Sequence, residues 1–337
     1  MSSVLSDTPF SVLDRSRTRE GQDGPSALRD TVEFARWAEV LGYHRFWVSE
    51  HHGVPGVAGS APTVLAAAVA AATCRIRVGT GGVMLPNHQP LVVAEQFGVL
   101  ESLYPGRIDM GLGRSVGFTD GIRRALGRGK EAAGAFDEQI GELLGWFTGT
   151  QSAHPQVHAW PAEGLRPAPF LLATGSGADL AAAHGLPLVI GNIRGEDAML
   201  RAVDRYRAAF RPSPWAAAPY VVLSGTVAVA PTGERARRLL VSEAWSTAYS
   251  RTHGVFPPLT PPEAVAARTM SGPERERFEA AMGGQLHGTP EDVAKDLESL
   301  LTRSAADEFL VTTSTYDRGE LLESYRLLAG LLAGDAG

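Results

Sequence analysis

Eight times along the chain a short β-rich run is followed by a segment with helical spacing, and this alternation restricts the fold more than any other feature. The β runs are 10–14 (FSVLD), 44–49 (HRFWVS), 75–80 (RIRVGT), 107–113 (RIDMGLG), 169–174 (PFLLAT), 186–191 (LPLVIG), 220–230 (YVVLSGTVAVA) and 307–313 (DEFLVTT). In 28–43, Leu28, Val32, Ala35, Ala38, Val40 and Leu41 are apolar at helical spacing. Segments 61–74, 90–104, 135–149, 177–185, 196–210, 289–303 and 318–332 read as helices too. Pro62 suits a first turn, Pro105-Gly106 stops a helix, and Thr289 suits an N-cap. Repeated β-then-α order predicts a parallel sheet. Eight such units in 337 residues favour a closed (β/α)8 TIM barrel over an open sheet. The expectation is one α/β domain over 1–337, with insertions after strands four and seven at about 115–168 and 231–288.

With 44% hydrophobic and 20% charged residues the chain can bury a large core, so disorder is not expected. A net charge of −6 gives no field to draw nucleic acid or an anionic membrane. The short basic group Arg123, Arg124, Arg128 and Lys130 reads as a solvated face or mobile loop. The lone cysteine, Cys74, excludes an intrachain disulfide; at the end of an apolar helix it reads as a buried, inert thiol. The N-terminus lacks a basic segment followed by an apolar stretch, and the Ala-rich run within 60–74 is too short to span a bilayer. A soluble cytoplasmic protein is expected.

In a (β/α)8 barrel the active site lies where strands end and βα loops begin, and four such ends stand out. The second carries Glu50-His51-His52. A metal reading is disfavoured, because adjacent residues on a strand point to opposite faces and the helical His-Glu-x-x-His spacing is absent; no metal is expected. One histidine directed into the barrel mouth suits acid, base or hydrogen-bonding work, against the alternative of a structural histidine. The third end carries Gly81-Gly82. On the fourth, Asp109, Gly111 and Gly113 share a face, which suits either a flat ring lying against the backbone or relief of crowding in the core. After the fifth, Gly175-Ser176-Gly177 opens a helix, where free N–H groups can hold an anion, and Arg114 would add a charged contact to it. The alternative is an ordinary Gly-rich loop with a surface arginine.

The segments GYHRFWVSEHHGVPG, RIRVGTGGVMLPNHQPLVVAEQFGVLESLYPGRIDMGLGRS, ATGSGADLAAAHGLPLV and HGTPEDVAKDL resemble, in order and spacing, the bacterial luciferase-like flavin-dependent monooxygenases. The combination EHH, VMLPNHQPL and YPGRIDMGLGR is similar to a subgroup of single-component oxygenases, some of them in bacterial secondary metabolism. The resemblance implies that His51 is catalytic and that the Gly81–Gly82 peptide is cis beneath the flavin ring. It also implies that Arg114 holds the FMN phosphate together with Thr174, Gly175, Ser176 and Gly177. The luciferase α chain has a reactive cysteine where this chain has Gly113, and the family's substrate lid corresponds to the weakly matching 231–288.

The activity implied by the resemblance is that of an enzyme taking reduced FMN from a separate flavin reductase. It would react with O2 through a flavin peroxide and oxygenate a small aldehyde, ketone or aromatic, polyketide-like substrate. No nicotinamide fingerprint is present: GLGRSVG only partly imitates G-x-G-x-x-G and lacks the acid that should come after it. The alternatives are a deazaflavin (F420)-dependent oxidoreductase and a non-catalytic flavin-binding relative. The family's dimerisation through its second and third helices, with the Ala-rich 64–74 well suited to close packing, implies a homodimer.

Overall fold

The computed structural model describes residues 3–333, so the first two and last four residues of the expected 1–337 domain lie outside the described residues. Eight strands carry the architecture. They are β1 (Phe10–Asp14), β2 (Arg45–Val48), β3 (Arg77–Thr80), β4 (Ile108–Gly113), β5 (Ala168–Ala173), β6 (Leu188–Gly191), β7 (Val221–Gly225) and β8 (Glu308–Val311). Hydrogen-bonded neighbours run β3-β2-β1-β8-β7-β6-β5-β4, and β3 also pairs with β4, so the order returns to its start. This is the (β/α)8 barrel. A two-residue strand, Val83–Met84, pairs with the end of β4.

The chain packs into two compact units. Among the described residues, the first comprises 3–46, 53–59 and 222–333. In it β1 and β7 both pair in parallel with β8, in the registers Val12↔Val311 and Val222↔Glu308. Phe10 stacks on Phe309 with centroids 5.5 Å apart. Glu308 is fully buried and accepts from Arg45 Nε and from Ser11 Oγ. The run 220–230 is not one strand: Val227–Val229 leaves the barrel and pairs with Leu286–Gly288. That short ladder packs through Ala228 on Ala236, Leu239 and Leu240 of the helix Gly233–His253.

The second unit comprises 47–52 and 60–221. It holds β3 to β6 in parallel, with Val78↔Ile108, Asp109↔Ala168 and Leu171↔Leu188 aligned. Their crossovers include the helices Pro62–Ala72, Pro90–Leu103, Phe136–Thr148 and Gly177–His184. Asp109 is fully buried; its carboxylate meets Arg77 Nη2 at 2.6 Å and accepts from Trp47 Nε1 at 2.9 Å. A buried carboxylate is tolerable only with partners of this kind.

Two sequence expectations are corrected. Cys74 is exposed, not buried, because the helix ends at Ala72 and the thiol falls in the turn before β3. The basic group is only partly a solvated face. Arg123 is buried, donates to the Gly117 carbonyl at 2.7 Å and pairs with Asp120, while Arg128 Nη2 lies 3.4 Å from the His88 carbonyl. Among the described residues no helix is long and apolar enough to cross a membrane.

Candidate active site

The end of β2 is anchored by Trp47 and Val48, both fully buried. Beyond it, side chains two apart meet. Ser49 Oγ lies 3.2 Å from His51 Nδ1, and His52 Nε2 donates to Glu50 Oε1 at 2.7 Å. A third segment joins Glu50. His88, in the loop after β3, reaches the same Oε1 at 2.8 Å, and the Met84 N–H donates to Oε2 at 2.9 Å. Burial pushes the Glu50 carboxyl up; the bonds from His52 and His88, the charge of His88 and the Met84 N–H outweigh it and bring it down to about 2.

The expectation that these side chains cannot converge is corrected on one point. Glu50 and His52, two apart, do meet, and with His88 they form a set of donor atoms all within 4.8 Å of one another. Sequence reasoning missed His88. Its only sequence signal was a histidine in the first polar stretch beyond β3, where a βα loop faces the barrel mouth.

The Gly81–Gly82 peptide is cis, and the Gly81 N–H donates to the Val48 carbonyl at 2.8 Å, tying the end of β3 to that of β2. The glycines of β3 and β4 divide into two kinds. A Cβ on Gly111 would lie 1.9 Å from the Thr80 carbonyl oxygen, and one on Gly82 2.8 Å from that of Gly111. Close approach of the two backbones therefore requires these glycines whatever binds there. Gly113 differs: the nearest atom to an added Cβ is the Val83 oxygen at 3.7 Å. The fold tolerates a side chain there, and its absence leaves backbone open to a ligand.

At the ends of β5 and β6 lies a cavity of about 250 Å3 whose lining includes Thr174, Gly175, Ser176, Arg194, Arg201 and Arg205. Gly175 has φ +121°, and a Cβ on it would sit 3.5 Å from Arg194 Nη1. Ser176 caps the helix Gly177–His184 without a side-chain hydrogen bond to it, leaving its hydroxyl for another partner. Three guanidinium groups beside a helix start suit a phosphate, so the residues fit a phosphate-bearing cofactor. Arg114 is not brought to this loop. It is exposed, and its Nε donates to the Ala133 carbonyl at 3.0 Å, in the turn Lys130–Ala135. The arginines that do face the strand-five loop come from the loop and helix after β6, which sequence reading passed over because no glycine pattern marks them.

Known proteins share this architecture at the level of sequence as well as fold. Residues 8–308 match the luciferase-like monooxygenase family. A luciferase-like monooxygenase of Escherichia coli (strain K12) is 35% identical over 320 residues, covering 94% of this chain and 95% of that protein. The N-acetyl-S-alkylcysteine monooxygenase of Bacillus subtilis (strain 168) is 34% identical over 334 residues, covering 95% and 97%. Among solved structures, apo-MsnO8 superposes with a TM-score of 0.86 at 32% identity over 98% of both chains. The chain belongs to the luciferase-like monooxygenase family, and its class is that of oxygenating oxidoreductases.

Proposed function

We propose that the protein binds reduced FMN, supplied by a separate flavin reductase, and uses O2 to oxygenate a small organic substrate such as an aldehyde, a ketone or an aromatic, polyketide-like molecule. The observation that carries this reading is the arginine-lined cavity at the ends of β5 and β6. Reduced flavin supplies the electrons that activate O2 when it is bound. The chain's own residues bind and orient. Arg194 and Ser176 hold the phosphate, with Thr174, Gly175 and Gly177 shaping its loop, while Arg114 stays turned to Ala133. Gly113, Gly81 and Gly82 present bare backbone to the ring. His51, steadied at Nδ1 by Ser49, holds or moves a proton at Nε2 during oxygen transfer.

The test is an anaerobic titration with reduced FMN followed by admission of O2 while recording absorbance. Saturable binding is expected, with affinity lowered about tenfold or more in Arg194→Ala, the loss of one charged contact of roughly 1.4 kcal/mol or above. His51→Ala should bind FMN as the wild type does yet lose turnover by about 10²-fold or more, the usual reach of a general acid or base. Failure to bind reduced FMN, with binding of a deazaflavin instead, would overturn the cofactor assignment. Unchanged turnover in His51→Ala would remove the catalytic role.

A further inference from the structure

We propose that Glu50, His52 and His88 form a binding site for a divalent transition-metal ion of the Zn2+ type. The donor set is one carboxylate oxygen and two imidazole nitrogens, all within 4.8 Å of one another, and this mixture suits borderline metals. The three come from two rigid places, the end of β2 and the loop after β3, which the Gly81 N–H to Val48 carbonyl bond already holds together.

The carboxylate is oriented as a ligand should be. Its Oε2 is taken by the Met84 N–H, so Oε1 is the atom presented to both rings, at 2.7 and 2.8 Å. Such outer contacts aim a ligand and fix its denticity. A tetrahedral ion at about 2.1 Å from each ligand separates its donor atoms by about 3.4 Å, so admitting it requires the rings to retreat by roughly 0.6 Å. Glu50 is fully buried, whereas the His52 and His88 side chains are 20% and 31% exposed, which opens a route from solvent on the imidazole side.

On binding, each Nε2 exchanges its proton for the metal. A neutral ring moves that proton to Nδ1, and a charged ring releases one to solvent. No described residue hydrogen-bonds the Nδ1 atoms of His52 and His88, so none of them resists this shift. The same lack of support predicts a reversible site weaker than a structural zinc centre.

The experiment uses the full chain, free of flavin and without an affinity tag, titrated with Co2+ and read by visible absorption and by equilibrium dialysis. One Co2+ per chain is expected, displaced by Zn2+. Binding should weaken at least about tenfold in both His88→Ala and His52→Ala and hold in His154→Ala, which alters an exposed histidine elsewhere. Each of the two variants keeps Glu50 paired with the remaining ring, and circular dichroism verifies their folding. Absence of stoichiometric binding by the wild type, or wild-type binding in either variant, overturns the site. Because no flavin is present, neither result bears on the cofactor reading.

Discussion

Gly111 and Gly113 stand two apart on one strand and are glycines for different reasons. The Thr80 carbonyl leaves no room for a Cβ at Gly111, whereas Gly113 has that room. Gly111→Ala is therefore expected to destabilise the protein by about 3 kcal/mol or more, because backbone rather than a flexible side chain must move. Gly113→Ala should stay within about 0.5 kcal/mol in urea unfolding while weakening reduced FMN. Equal stability losses in the two variants would refute the distinction. Glu50 makes a pH prediction. Its carboxyl is at about 2 in the folded chain against an ordinary value of 4.5. Between these values the unfolded chain binds the extra proton, so stability falls as pH falls across the window and is fully present above it. Urea midpoints in metal-free buffer should show an acid loss of up to about 3 kcal/mol that Glu50→Gln flattens. Identical acid limbs would mean that the hydrogen bonds to Glu50 do not persist in solution.

Helix ends were legible where a cap is local. Thr289 accepts from the Asp292 N–H, and the Asp292 side chain returns to the Thr289 N–H, a reciprocal box opening Pro290–Ser304. Thr289→Ala should cost about 1 kcal/mol in equilibrium unfolding; no change would mean that the helix start is held by packing alone. Strand 220–230 was legible as β but not as two pieces. The break at Thr226 is made by Thr313, whose Oγ1 accepts from the Val227 N–H and donates to the Val227 carbonyl. The second piece then pairs with Leu286–Gly288, nearly sixty residues away. A partner that distant leaves no periodicity in the strand it pairs with.

The whole (β/α)8 arrangement was legible because each βα unit writes its own hydrophobic period and eight of them leave few ways to close a sheet. Assembly is a separate matter. Val64, Val92, Val99 and Leu103 are exposed on the helices Pro62–Ala72 and Pro90–Leu103 of the second unit, Val64 by 70% and Leu103 by 63%. Exposed apolar side chains on neighbouring crossover helices suit an interface with a second copy. Light scattering at micromolar concentration is expected to give a dimer, and Leu103→Glu to shift it towards monomer. A monomeric wild type would contradict this.

The eight β/α periods, the strand-end glycines, and the place of His51 and Ser176 at strand and helix ends were all readable in order along the chain, because local backbone preference and side-chain period act over a few residues. Three things required the fold. His88 completes a cluster with Glu50 and His52 from 36 residues beyond His52. Arg194 reaches the strand-five loop from the next crossover, while Arg114, the arginine that sequence reasoning placed there, turns to Ala133. Thr313 splits a strand more than eighty residues before it. Each is a contact between side chain and backbone or side chain and side chain whose direction is set by packing of whole elements, and no local pattern in the sequence records that direction.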